Sequence, residues 1–263
     1  MSNQRLPAEL LDQIVDLLYD SRDALKSCSL VSKSWIPRAR KHIFADIKFS
    51  TAEDLQSWRT TFPDPSTSPA CYTRILAIEC LQAIVAADAE EGGWITTFTH
   101  VVDFTVNAES MSTDRFPISL LLFYGFSPGL KSLDLTLFAV PFSQFFGLVC
   151  SFPLLEDLSV TNYDGWIESN NDSDDQGIAV QPSVSPVFTG RLGFNLGTGL
   201  DFVVSWLSSL RGGLHFRSLR SSLCQQRDDL PVMVLVERCR STLEYLEIES
   251  ELFGTSVRCS RPH

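Results

Sequence analysis

The sequence predicts an α/β protein with an N-terminal module of three helices followed by a longer region of repeated strand and helix units. Apolar residues recur at helical spacing between residues 6 and 36, and a short apolar-x-apolar pattern recurs through the rest of the chain. Apolar stretches of helical length separate these patterns. Units of this kind stack into a solenoid, with parallel strands on the concave face and helices on the convex face.

The first helix is predicted to begin at Pro7, because a proline suits a first-turn position, where its missing N–H had no partner and its φ is already helical. One face of the helix is apolar, and the opposite face carries acidic and amide side chains. The apolar positions are Leu10, Leu11, Ile14, Val15, Leu17 and Leu18. This pattern is typical of an amphipathic helix of about three turns.

A second apolar series follows a capping signal at Asp20, Ser21 and Asp23. It runs from Leu25 to Ile36, and Pro37 is expected to end or kink it. A helical module of roughly 40 residues is too small to be stabilised by its own core. Its remaining apolar surface therefore needs either the rest of the chain or a partner.

These N-terminal residues resemble the F-box motif, and most closely the version found in fungal proteins. The resemblance is carried by Leu6-Pro7-x-Glu9-Leu10, by Ile14 and Leu17, and by the run Cys28-Ser29-Leu30-Val31-Ser32-Lys33-Ser34-Trp35. It covers about the first 48 residues and implies a three-helix module, residues 1–48, that docks on the Skp adaptor of a cullin-RING ubiquitin ligase.

The resemblance also implies roles for individual residues. Cys28 and Trp35 are expected in the core of the module. The expected adaptor-binding surface, or the small core beneath it, comprises Leu6, Pro7, Leu10, Ile14, Leu17, Leu25 and Val31.

Residues 49–263 contain a weak repeat. Its units are Leu76-x-Ile78, Phe104-x-Val106, Leu133-x-Leu135, Leu158-x-Val160, Phe194-x-Leu196, Leu219 and Leu246-x-Ile248. Their first residues are separated by 28, 29, 25, 36, 25 and 27 positions. The clearest copies fit L-x-x-L-x-L and resemble the strand segment of leucine-rich repeats, whose period is roughly 20 to 29 residues. The resemblance implies an irregular repeat domain that recognises a substrate.

Helices are expected between these strands, in 117–124, 142–150, 201–210 and 231–239. Thr51 and Asp54 predict a capped helix that joins the module to the first unit. The single long gap is assigned to an acidic insertion at about 162–186, which is expected to be mobile. Its acidic run resembles the start of a calcium loop, but Ser183 stands where a bidentate glutamate is required, so a solvated loop is favoured.

Composition restricts the possible partners. The chain has 263 residues, 44% of them hydrophobic, which is enough for a large core. Its net charge is −11; residues 1–48 carry +2 and the remainder −13, which disfavours nucleic acid as a partner. No signal sequence or apolar run of bilayer length predicts contact with a membrane. Seven cysteines without a CxxC pair favour reduced thiols and a cytoplasmic or nuclear location.

No recognisable motif predicts catalysis, a metal site or a cofactor. The four histidines, His42, His100, His215 and His263, form no metal-binding spacing, and the glycine-rich run 190–199 matches no phosphate loop. The predicted function is a non-catalytic subunit of a Skp/cullin/F-box ligase that holds a protein substrate. One alternative is a repeat scaffold for protein–protein interaction outside ubiquitin chemistry. The other is a hydrolase with dispersed residues, in which a serine or cysteine lies near His100 or His215.

Overall fold

An open, nine-stranded sheet dominates the computed structural model of this chain, which describes residues 7–79, 94–107, 120–137, 140–162, 166–167, 186–196, 199–210, 213–223, 229–250 and 255–260. The sheet contains β1 (Asp46–Phe49), β2 (Ile75–Ile78), β3 (Asp103–Asn107), β4 (Ser132–Leu137), β6 (Asp157–Asn162), β8 (Arg191–Leu196), β9 (Ser218–Leu223), β10 (Tyr245–Ser250) and β11 (Thr255–Ser260), in that order. All neighbours are parallel except β10 and β11. A separate pair, β5 (Val140–Pro141) and β7 (Trp166–Ile167), is also parallel. The expected α/β class is therefore confirmed.

The apolar-x-apolar pattern forms continuous rows across the sheet. One row contains Ile47, Leu76, Phe104, Leu133, Leu158, Leu192, Leu219 and Leu246, each opposite the next. Alternate residues of each strand point to opposite faces, so this row and its neighbour two residues on fill the core. Parallel sheets usually bury both faces, whereas this one buries only one.

The predicted position of one unit was wrong by two residues. Phe194 was expected to be the equivalent of Leu158 and Leu219, but the residue opposite both of them is Leu192. Leu192, Phe194 and Leu196 all point to the core side, so the alternation within the strand does not distinguish between them. Only the neighbouring strands determine the register.

Among the described residues, four α-helices follow the N-terminal module and accompany the sheet: α4 (Ala52–Thr61), α5 (Phe142–Cys150), α6 (Leu200–Ser209) and α7 (Asp229–Cys239). They confirm the predicted helices after Thr51, at 142–150, at 201–210 and at 231–239. Thr51 and Asp54 form the expected capping box, in which each side chain accepts a hydrogen bond from the other's backbone N–H. Gly199 precedes α6 with a φ of +80°, a conformation that glycine adopts without strain.

The N-terminal residues form three helices, α1 (Ala8–Asp16), α2 (Arg22–Val31) and α3 (Ile36–Ile43). Pro7 is the residue immediately before α1, and its carbonyl accepts the first hydrogen bonds of the helix. Pro37 was expected to end or kink the second series, but it lies in the first turn of α3. The break between α2 and α3 occurs earlier, at 32–35, because Ser32 is extended.

Two strands of the nine-stranded sheet were not predicted. Strand β1 spans position 48, the expected end of the module, and pairs with β2, so the sheet already begins at Asp46. Strand β11 runs antiparallel to β10. The sequence of β11 alternates without the leucines that marked the other strands.

Part of the predicted organisation lies outside the described residues. This applies to the insertion at 162–186, of which only Asn162, Trp166–Ile167 and Pro186 are described, and to the start of the helix expected at 117–124. The described end of that helix, Leu120–Phe123, is a single 3-10 turn.

Candidate protein-binding surfaces

The three N-terminal helices share a very small core. Val15, Leu25 and Ala39 are its fully buried members, and Leu18, Trp35 and Ile43 pack against it. Trp35 therefore contacts the core, as expected, and Cys28 is half-buried. Leu25 is only 1% exposed, so its side chain belongs to the core and is not available on the surface.

Several large apolar side chains of this module remain exposed. On α1 and the turn after it, Leu10 is 45%, Ile14 is 43% and Leu17 is 79% exposed. Their spacing of four and three residues places them on one helix face. At the end of α2, Leu30 is 88% and Val31 is 70% exposed. We refer to Leu10, Ile14, Leu17, Leu30 and Val31 as the apolar helix surface.

The other residues expected at this surface are placed as follows. Pro7 is exposed, and Leu6 lies outside the described residues. Leu30 was part of the predicted apolar series but was not assigned to the surface. Leu25 and Leu30 lie on the same helix. Leu25 is buried and Leu30 is exposed because of the way α2 packs against its neighbours.

A charged cluster fixes α1 on α3. Asp16 Oδ1 accepts hydrogen bonds from Arg38 Nε at 2.6 Å and from His42 Nε2 at 2.7 Å, and Asp16 Oδ2 accepts from Arg38 Nη2. These donors, Arg38 first, hold the pKa of the Asp16 carboxyl well below its usual range. The core between these helices is small, so the charged cluster helps to hold α1 against α3. It thereby sets the orientation of the exposed face of α1.

The second candidate surface is the side of the sheet that faces away from the core. We call it the polar sheet face. A depression of about 460 Å³ lies on it, and its charged lining residues are Asp103, Asp134, Asp157, Arg191, Arg220 and Glu247. Gly193 contributes no side chain here, and a Cβ at this position would approach Ser159 Oγ only to 3.5 Å. The missing side chain helps to keep the depression open.

Most charges on this face are neutralised by a neighbouring strand. Arg191 Nη2 lies 3.2 Å from Asp157 Oδ2, and Arg220 lies 3.5 Å from Glu247 and 3.2 Å from Glu249. Arg258 of β11 also binds Glu247, which is only 6% exposed. Arg191, Arg220 and Arg258 therefore already have carboxylate partners within the chain.

Asp103 and Asp134 differ from these paired residues. Among the described residues, no lysine, arginine or histidine lies within salt-bridge distance of either carboxylate. Burial raises the pKa of Asp134, and the Asp103 charge adds to this effect, while a hydrogen bond from Ser159 opposes it. These two carboxylates on neighbouring strands therefore have no cationic partner in the described part of the chain. No pattern in the sequence distinguishes these two residues, although they occupy alternate positions of the predicted strands.

A cleft of about 680 Å³ lies where the helical module meets the sheet. Phe44, Trp58 and Phe62 contribute apolar walls. Arg22 crosses this junction and donates hydrogen bonds to the carbonyl oxygens of Ile43 at 3.1 Å and Asp46 at 3.5 Å. The module is thus attached to the first strand by polar contacts.

The histidines and cysteines relevant to catalysis or metal binding are arranged as follows. His100 contacts Thr99 Oγ1 at 2.9 Å, and His42 belongs to the cluster with Asp16. Burial raises the pKa of Cys150 to about 11 and also raises that of Cys239, so both thiols stay protonated at neutral pH. Within the described ranges, no group of three His, Cys, Asp or Glu side chains is placed to hold a metal ion.

The described part of the chain contains no helix that is both long enough and apolar enough to cross a bilayer. No protein-family model, curated protein or solved structure matches this chain.

Proposed function

We propose that this chain is a substrate-recognition subunit of a Skp/cullin/F-box type ubiquitin ligase. Residues 7–43 form the adaptor-docking module, and the sheet region acts as an irregular leucine-rich-repeat-like solenoid that holds a protein substrate. The subunit has no active site of its own and works by raising the local concentration of substrate beside a ubiquitin-loaded enzyme. This role places it in the cytoplasm or nucleus.

The observation that carries the proposal is the apolar helix surface. Its five members are each between 43% and 88% exposed, whereas the module beneath them has only three fully buried side chains. Solvating that many large aliphatic groups is unfavourable, at about 25 cal/mol per Å² of apolar area. Exposed apolar side chains grouped on one helix face, as Leu10, Ile14 and Leu17 are, mark protein-binding sites. All five residues belong to the motif that resembles an F-box, and four of them were expected at the adaptor-binding surface. The resemblance names the partner.

A pull-down with purified Skp adaptor tests the docking step. The double variant Leu10→Asp, Ile14→Asp places charges on side chains that are already about 45% exposed, so the module stays folded. We expect the wild-type chain to be retained and the variant to be lost. The matched control is Phe202→Asp, which changes a 50% exposed residue on α6. Equal retention of wild type and double variant, or retention of neither, contradicts the proposal.

The polar sheet face is the proposed substrate site. Asp103 and Asp134 lack a cation among the described residues, and the chain beyond residue 48 has a net charge of −13. A basic segment of a substrate supplies the missing counter-charge and benefits from the field of the whole domain. The substrate class favoured by these observations is therefore a protein with an exposed lysine- or arginine-rich patch.

Affinity purification under proteasome inhibition identifies candidate substrates, and a charge-neutralising pair tests the site. We expect Asp103→Asn, Asp134→Asn to weaken binding of such a substrate by about tenfold or more, ~1.4 kcal/mol. Adaptor recovery should stay unchanged. Asp201→Asn, an exposed position on α6, is the control for loss of negative charge. A substrate bound equally by all three proteins would place the recognition surface elsewhere.

A second candidate function is a repeat scaffold whose helical module only covers the first strand. The hydrogen bond from Arg22 to the Asp46 carbonyl favours this alternative, because it attaches the module to β1. A scaffold of this type needs its terminal cover for stability. Removal of residues 1–45 would then lower the melting temperature of the remainder strongly, and adaptor binding would be absent from the intact chain.

A further inference from the structure

The cleft between the helical module and the sheet runs along the outer edge of strand β1. All four residues of that strand, Asp46–Phe49, line the cleft, whereas none of the described residues of its neighbour β2 does. Successive side chains of a strand point to opposite faces, so a cavity that touches all four residues follows the edge of the strand. No described strand pairs with this outer side of β1, and the chain around it is described without a gap over residues 7–79.

The pairing of β1 with β2 shows which backbone groups face the cleft. The carbonyl oxygens of Ala45 and Phe49 accept hydrogen bonds from N–H groups at the two ends of β2. In a parallel pair, alternate residues of one strand direct their N–H and C=O groups to the same neighbour. The residues between them, Asp46 and Lys48, therefore direct their backbone N–H and C=O groups into the cleft. An edge of this kind is a template for a further strand.

Arg22 lies at the end of the cleft where β1 begins. Its Nη2 donates to the carbonyl oxygen of Ile43 at 3.1 Å and to that of Asp46 at 3.5 Å, which agrees with the outward direction of the Asp46 carbonyl. In the described part of the chain, no carboxylate lies within salt-bridge distance of Arg22, and its Nε and Nη1 atoms have no acceptor. A guanidinium offers five N–H donors and pairs strongly with a carboxylate. This end of the cleft is therefore suited to an anionic group.

Aromatic side chains form the wall of the cleft on the core side of β1. Phe44, Trp58 and Phe62 are all half-buried and contact one another, with ring centroids 4.8 to 5.9 Å apart. Trp58 also packs on the buried ring of Phe49, at a centroid distance of 5.8 Å. A strand added to β1 would place every second side chain on this side of the sheet.

We propose that this cleft binds the C-terminal segment of another protein, which adds to β1 as an antiparallel strand. The antiparallel direction places the last residue of the segment beside Asp46 and its terminal carboxylate at Arg22. The backbone of the segment bonds to Lys48, and its alternate side chains, which are apolar, lie against the aromatic wall. Strand addition and capture of a terminal carboxylate are both recurring modes of peptide recognition. The cleft shares no residue with the apolar helix surface, so this proposal does not depend on adaptor docking.

The three features together favour this ligand over others with partly matching chemistry. A small aromatic acid would pair with Arg22 and contact the wall, but it would leave the backbone groups of Lys48 unpaired. An internal strand of a partner would bond to Lys48 but would bring no carboxylate to Arg22. Four residues of a strand span about 13 Å, and a contact of that length is smaller than the ~1,200 Å² of stable complexes, so we expect micromolar binding.

Fluorescence anisotropy with the full chain and a pool of labelled hexapeptides tests the ligand class. The peptides have valine or leucine at alternate positions and a label at the N-terminus, and each is made with a free C-terminal carboxylate and with a C-terminal amide. We expect the chain to bind members of the carboxylate set about tenfold or more tightly than the matched amides, because only the former make a charge-assisted bond to Arg22. No binding by any peptide, or equal binding of acids and amides, overturns the proposal.

Two variants assign the binding to this cleft. Arg22→Gln removes the charge of an exposed residue and should bind acids and amides equally. Lys48→Pro removes an outward N–H that makes no bond to β2, and it should weaken both peptide forms by the same factor.

The matched controls are Lys41→Gln, which removes an exposed cation of α3 outside the cleft, and Lys48→Ala, which keeps the backbone N–H. Both should bind like wild type. An Arg22→Gln protein that still prefers the carboxylate overturns the proposal, and this result does not depend on the folding of Lys48→Pro. Equal loss of binding in Lys48→Ala and Lys48→Pro overturns the pairing with β1.

Discussion

At the scale of single residues, one polar side chain interrupts the second row of core side chains, the row that contains Phe194 and Ile248. Ser221 lies between Phe194 and Ile248, is fully buried, and its hydroxyl has no hydrogen-bond partner among the described residues. A buried hydroxyl without a partner costs about 1–3 kcal/mol in desolvation. The remaining members of the row contribute apolar contacts across the sheet.

We expect Ser221→Ala to raise the free energy of unfolding by about 1 kcal/mol, because it removes the unpaired hydroxyl and little volume. Urea unfolding measures the change. Ser218→Ala is the matched control on the same strand, on the side facing away from the core, and should alter stability by less. A clear loss of stability in Ser221→Ala would mean that the hydroxyl has a partner in solution.

At the scale of elements, the contact between α1 and α3 depends on one carboxylate. Asp16 accepts hydrogen bonds from Arg38 and His42, and its pKa is strongly lowered. A carboxyl whose pKa is lower in the folded than in the unfolded state stabilises the fold above its unfolded pKa, about 4, and loses that contribution as the pH falls.

We therefore expect Asp16→Asn to lower the melting temperature at pH 7, and the difference from wild type to shrink steadily below about pH 4. Thermal unfolding followed by circular dichroism over this pH range measures the difference. Asp12→Asn, on the exposed side of α1, controls for the change of charge. A constant difference between Asp16→Asn and wild type down to pH 2 would contradict the role of the ionised carboxyl.

Sequence periodicity was most informative for whole elements. Apolar residues that repeat at a constant period along a whole element made several elements predictable. These are the helices at 142–150, 201–210 and 231–239 and the strands around Leu133, Leu158 and Leu246. Strand β1 was missed because most of its residues fall within 1–48, the range assigned to the helical module. Strand β11 was missed because its exposed sequence lacks an apolar row.

At the scale of the whole molecule, the candidate surfaces were only partly predictable. The sequence identifies the apolar residues of α1 and α2. It does not show which of them are buried in the small core and which stay exposed, as Leu25 and Leu30 illustrate. The acidic pair Asp103 and Asp134 arises only when β3 and β4 become neighbours. Local patterns thus predict elements, whereas burial and charge balance depend on contacts between residues far apart in the chain.

The proposed function assigns separate tasks to the two parts of the chain. In this proposal the helical module presents an apolar surface to an adaptor, and the sheet presents to a substrate a polar face whose Asp103 and Asp134 have no cationic partner among the described residues. The contacts between Arg22 and β1 connect the two parts. An adaptor bound at one part should therefore leave the other part accessible.

Hydrogen–deuterium exchange of the full chain, alone and with purified Skp adaptor, tests the central claim most directly. The proposal predicts slower amide exchange in residues 8–19 and 28–33 when the adaptor is present, with unchanged exchange in β3, β4, β6 and β8. No protection anywhere at saturating adaptor, or protection confined to the sheet, would contradict docking through the N-terminal helices.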